Sequence, residues 1–147
     1  MTVEKLLITQ FVNYINACIE SQVLDMPDYI TIGTPFYSSG AGLWVQILGN
    51  ATPSQKYLRG KYHGSLPFAL YYRLSSAELD GIEAKMLIPS ENMEAYLFGL
   101  QVANAYPTFD GFIIKEITQT KGANPFRKDQ DGTIIYQSLW TIDFEVI

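Results

Sequence analysis

The strongest constraint on the fold lies at the C-terminal end of the chain. From Thr133 to Ile147 the residue type alternates: Tyr136, Trp140, Ile142, Phe144 and Val146 face one way, Gln137, Thr141, Asp143 and Glu145 the other. Only a β-strand turns successive side chains to opposite faces. A strand with one heavily apolar face needs partner strands and a covering layer. The chain therefore has to build a sheet with something packed against it.

The covering layer is legible at the other end. Residues 3 to 20 read as a helix, with Leu7, Phe11, Tyr14 and Cys18 on one stripe and Ile8, Val12, Ile15 and Ile19 beside it. Thr2 is placed to cap it, although Lys5 rather than an acid stands at the reciprocal box position. Cys18 lies on the apolar side and reads as a buried structural thiol. With 147 residues, 48% of them hydrophobic and 14% aromatic, the chain is long and apolar enough for one cored domain, 1–147.

Between these ends the period changes after Pro27. Strands are expected over Tyr29–Gly33, over Ala41–Gly49 (apolar on both faces and so central) and over Leu66–Ser75. In the last of these Pro67 fits a first-residue or edge position. Residues 50 to 65 read as a long polar excursion with a hairpin tip around Gly60. Ser75 to Tyr106 reads as helical, with Asp80-Gly81 as an alternative hairpin turn in its first part. Pro89 is expected to interrupt it and open a second helix, whose stripe is Met93, Tyr96, Leu97, Leu100 and Ala103, with Pro107 as the stop. Gly111–Thr120 completes the strands, and Lys121–Gly132 reads as a polar link on the turn signals Asn124-Pro125 and Asp131-Gly132. The expected fold is α+β, a mainly antiparallel sheet with an N-terminal and a central helix packed on it, in the order α-β-β-β-α-β-β.

The chemistry-bearing residues are few. One cysteine excludes a disulfide framework or a CxxC pair, and one histidine, His63, excludes His-rich metal sites. No serine stands in a GxSxG elbow, so His63 reads as a surface or contact residue of a loop rather than a triad base. Asp143 and Glu145 read as a solvated strand edge. Ser38-Ser39-Gly40-Ala41-Gly42 lacks the GK[ST] of a phosphate loop. Asp129-Gln130-Asp131-Gly132 lacks the further carboxylates of a calcium loop. An enzyme is not expected, nor a cofactor or metal. Met1–Glu20 does not read as a signal peptide, the sequon Asn50-Ala51-Thr52 has no secretory context, and no membrane partner is expected.

Charge is distributed unevenly. The net charge is −5, against a general nucleic-acid binder held by a positive field. Yet no Asp or Glu stands between Asp28 and Glu78, while Lys56, Arg59, Lys61 and Arg73 occur there. Acids gather elsewhere: Asp25, Asp28, Glu91, Glu94, Asp143 and Glu145 among them. A basic tongue on an otherwise acidic subunit can pair head-to-tail with a second copy, and such contacts close into rings. The candidate interface residues are Lys56, Tyr57, Arg59, Lys61 and Tyr62. Stacking of nucleic acid on this segment has three cations to set against the acid excess, and no specific nucleic acid is expected there.

Lys56-Tyr57-Leu58-Arg59-Gly60, followed by Leu66-Pro67-Phe68-Ala69-Leu70-Tyr71-Tyr72-Arg73, resembles the central strands of the minor capsid proteins of tailed bacteriophages. Asn124-Pro125, Asp129-Gln130-Asp131-Gly132, Tyr136-Gln137-Ser138 and Thr141-Ile142-Asp143-Phe144 resemble their closing hairpin. The likeness runs over nearly the whole chain and rests on aromatic, turn and strand residues rather than on chemical ligands. It implies an α+β subunit without cofactor or catalysis, akin to tail-terminator and head–tail joining proteins. Such a viral protein is made in the bacterial host cytoplasm and sits in the virion at the head–tail joint. There it forms a homomeric ring with the tail tube and head-completion proteins as neighbours. The alternative from the residues alone is a small non-catalytic binding module of the adaptor or immunity type.

Overall fold

The structure, a computed structural model, describes residues 2–36, 40–50, 52–56, 62–73, 82–128 and 133–147; of 52–56 and 82–87 the backbone alone is described. The first helix, α1 (Val3–Glu20), begins where Thr2 Oγ1 accepts the Lys5 N–H at 3.2 Å. Leu7, Ile8, Phe11, Val12, Ile15 and Cys18 are buried, so both sequence stripes face the core. The helix stops at Gln22, which adopts a left-handed φ of 62°. Its N–H reaches Ile19 O at 3.1 Å and that of Val23 reaches Cys18 O at 3.0 Å, the paired bonds of a Schellman motif. Leu24 and Met26 then plug the core, and Asn16 grips both backbone groups of Ile30 (2.7 and 3.0 Å). This grip launches the sheet.

Among the described residues the sheet has six strands: β1 (Ile30–Ile32), β2 (Gly42–Ile47), β3 (Thr52–Lys56), β4 (Tyr62–Arg73), β5 (Phe112–Lys128) and β6 (Ile134–Val146). Its order is β1-β2-β4-β6-β5, with β3 paired to the first half of β4. Only β1–β2 is parallel. The α+β fold expected from the sequence is thus the fold found. The polar excursion adds the extra strand β3, hairpinned on to β4.

The C-terminal alternation holds in β6. Tyr136, Trp140, Ile142 and Phe144 are buried with α1, with Phe68 and Leu70 of β4, and with Met93 and Leu97 of the second helix, α2 (Ile82–Val102). Both helices therefore lie on one face. The other face carries a smaller cluster, Ala69, Tyr71 and Ile135, with Phe36, Trp44 and Leu139 packed against it. Arg73 is buried there. It donates through Nε to Gly40 O (2.6 Å) and through a terminal nitrogen to Pro35 O (3.1 Å), with its guanidinium 5.2 Å from the Trp44 ring. This cation ties a loop down instead of adding to the surface charge.

Four sequence expectations are corrected. Pro67 is neither a first residue nor on an edge: it sits mid-strand in β4, opposite Thr141 of β6. Its carbonyl accepts from Leu48 N–H at 3.0 Å, so its ring nitrogen faces the same side, toward the junction where β2 ends and β3 begins. The missing donor falls in that gap between two ladders. Pro89, expected to separate two helices, lies inside α2. It forfeits the bond to Lys85 O, and it is buried in a recess with Leu70, Tyr72, Ala123 and Tyr136. The adjoining Ser90 hydroxyl accepts from Gln119 Nε2. Packing thus offsets a local cost of roughly 3 kcal/mol. The helix ends at Val102, leaving Ala103 exposed outside the stripe. Asn104 at φ 54° closes it, with Asn104 N–H to Gln101 O (3.1 Å) and Ala105 N–H to Leu100 O (2.8 Å). The supposed link from Lys121 is strand as far as Lys128. β5 is an edge strand and absorbs Gly122, Asn124 and Pro125 through three register shifts between Gln119 and Arg127. Asp129–Gly132, the rest of that link, lies outside the described residues, as does the start of the middle helical region, 75–81.

Candidate functional site

Lys56 and Tyr62 are cross-strand partners at the end of the β3–β4 hairpin, as are Gln55 and His63. Two antiparallel strands thus flank the basic and aromatic segment. Tyr57, Arg59 and Lys61 lie outside the described residues. Tyr62 is half-buried, with its ring edge-on to Phe144 at 6.1 Å. Burial, with the negative charge of Glu4 second, pushes its hydroxyl above the ordinary tyrosine value. Gly64 is required beneath it: a Cβ there would stand 2.9 Å from Phe144 Cζ.

The base of the hairpin is a polar patch on the helix-free face. The β4–β6 register sets His63 opposite Glu145 and Ser65 opposite Asp143. His63 Nε2 lies 2.7 Å from Glu145 Oε2, and Ser65 Oγ donates to Asp143 Oδ1 at 2.5 Å. A shift in register between Ile114 and Glu116 leaves Lys115 opposite no residue and brings its Nζ within 3.6 Å of the same Glu145 oxygen. His63, Ser65, Lys115 and Asp143, together with Gly64 and Phe144, line a shallow recess. Two expectations change here. Asp143 and Glu145 do lie on the polar face, but β6 is an inner strand and both carboxylates are partnered. His63 stands in a strand, not a loop.

The patch holds the residue types of acyl-transfer chemistry without their order. Ser65 donates to Asp143 rather than to His63, and His63 engages Glu145, so Ser65 is not set against the imidazole as its nucleophile. Among the described residues no group of three His, Cys, Asp or Glu is placed to hold a metal ion, and no helix is long and apolar enough to cross a membrane. The arrangement can staple three strands at the foot of the hairpin. Sequence reasoning missed Ser65 and Lys115, because only the long-range register brings them to the carboxylates. The alternation around Asp143 was the available signal.

An acidic surface lies on the helical side of the molecule. Asn92 Nδ2 of α2 donates to Asp25 O at 2.8 Å, which ties the segment carrying the exposed Asp25 and Asp28 to the residue after the exposed Glu91. Val23 and Tyr29, 62% and 52% exposed, lie in the same segment. No model of a known protein family matches the chain, and no curated protein matches it either.

Proposed function

We propose that this chain is a structural subunit of a tailed-phage virion, a minor capsid or tail-terminator-like component that forms a homomeric ring at the head–tail joint. In this reading the contact is head-to-tail. The basic hairpin end reaches the acidic surface of the next copy, with Tyr57 and Tyr62 as anchors and Lys56, Arg59 and Lys61 setting register. The observation that carries the reading is the pairing of Lys56 with Tyr62, which holds the basic, acid-free segment between two strands at one end of the sheet. The resemblance of the hairpin and closing strands to phage minor capsid proteins supports it, as does the separate cluster of Asp25, Asp28 and Glu91.

The test is genetic and structural together. A phage deprived of this protein should accumulate heads and tails that do not join or tails of aberrant length. Supplying the chain in trans should restore whole particles that contain it. Normal particles without the protein, or its absence from purified virions, would overturn the proposal.

A further inference from the structure

We infer that the helix-free face of the sheet, at its β5 edge, binds single-stranded nucleic acid without sequence preference. The inference does not rest on the ring contact, which uses the opposite end of β4. Lys121, Phe126 and Arg127 are exposed along β5, Lys128 is exposed at the same edge opposite Ile134 of the helical side, and no Asp or Glu stands between Glu116 and Asp129. A regular strand would send Phe126 and Arg127 to opposite faces. The register shift between Pro125 and Arg127 instead sets both against Phe36. The Phe126 centroid lies 5.8 Å from that of Phe36 and 5.6 Å from that of Tyr71, and the Arg127 guanidinium lies 5.2 Å from the Phe36 ring. Phe126 still leaves 48% of its surface open.

The result is a ring supported from behind, open in front and flanked by cations. Every base presents a π-face to such a ring, while phosphates meet the neighbouring cations. Amides stand alongside: Tyr71 donates its hydroxyl to Gln46 Oε1 at 2.9 Å and receives Gln137 Nε2 at 3.2 Å. From Lys121 to Lys128 the strand covers roughly 20 Å, a few nucleotides' worth. An acidic protein surface would satisfy the cations but gain nothing specific from the open phenyl ring. The chain's acid excess makes the site local, so its affinity depends strongly on salt.

The test is fluorescence anisotropy of a fluorescein-labelled oligothymidine at low salt. The intact chain should bind it, with log affinity falling against log salt at a slope of about −2 for three phosphates. Phe126→Ala should weaken binding roughly tenfold. Phe126→Trp should preserve binding, with the new indole quenched as oligonucleotide is added, a readout that does not depend on the alanine variant folding. Replacing Lys121, Arg127 and Lys128 together by Ala should abolish the salt slope. No binding by the intact chain, equal binding by Phe126→Ala with an unchanged melt, or an indole that oligonucleotide leaves unquenched would overturn the inference. So would these variants dissolving a self-association while the oligonucleotide has no effect; that result would assign the face to an acidic protein surface.

Discussion

Trp140 carries more of the core than any neighbour on its strand: it is 1% exposed, stacks on Phe68 at 6.2 Å, and donates its indole N–H to Ser138 Oγ at 2.8 Å. Trp140→Ala should cost about 3–5 kcal/mol, whereas Thr141→Ala, on the half-open face, should cost under about 1 kcal/mol. Urea denaturation of the two variants checks this; equal midpoints would mean that the faces of β6 are exchanged. Tyr14 gives a pH dependence. Its hydroxyl meets that of Tyr96 at 2.9 Å, and Tyr96 also meets Cys18 Sγ at 3.3 Å. Burial, then the bond to Tyr96, pushes the Tyr14 phenol far above its ordinary value of 10.0, so the fold favours the neutral form. The unfolded chain therefore ionises first. Stability from this group is complete below pH 10.0 and is lost as pH rises above it. Stability measured from pH 9 to about 11 should fall, and fall less steeply in Tyr14→Phe.

At the scale of elements, legibility followed locality. α1 was readable to the residue because its stripes, its Thr2 cap and its end all lie within one segment. β6 was readable because one face of an inner strand must alternate. α2 and β5 were misjudged at Pro89 and at Asn124-Pro125, where a local breaker is overruled by burial in one case and by edge position in the other. The hairpin was anticipated as an excursion, but its polar base was not: His63 meets Glu145 and Ser65 meets Asp143 only through the register of strands distant in sequence. The end of α1 yields a further expectation. Gln22 bears a side chain in the left-handed region, which costs an L-residue roughly 1–2 kcal/mol, while glycine's looser unfolded chain returns part of that. Gln22→Gly should raise stability by about 0.5–1 kcal/mol at an unchanged m-value. A lower denaturation midpoint would show that the Gln22 side chain has a role its backbone does not reveal.

For the whole molecule, the outermost strands of the sheet, β1 and β5, bear on how copies meet. β1 is three residues long, and β5 is broken by four register shifts and carries Lys and Pro, features that discourage strand-to-strand addition. A contact through the hairpin end and the acidic surface avoids both of these strands and leaves β3, paired only with β4, as the edge nearest to it. Exposed charge pairs contribute only about 0–1 kcal/mol each and are screened by salt, so they steer assembly without holding the fold. The most direct test is therefore the mass of the purified chain in solution, by light scattering across salt concentration, beside that of the Lys56→Glu/Arg59→Glu/Lys61→Glu variant. The ring account predicts a multi-subunit species for the parent that dissociates as salt rises, and a folded, lower-mass variant with an unchanged thermal melt. A parent that stays monomeric at every concentration and salt, or a variant that assembles as fully as the parent, would contradict it.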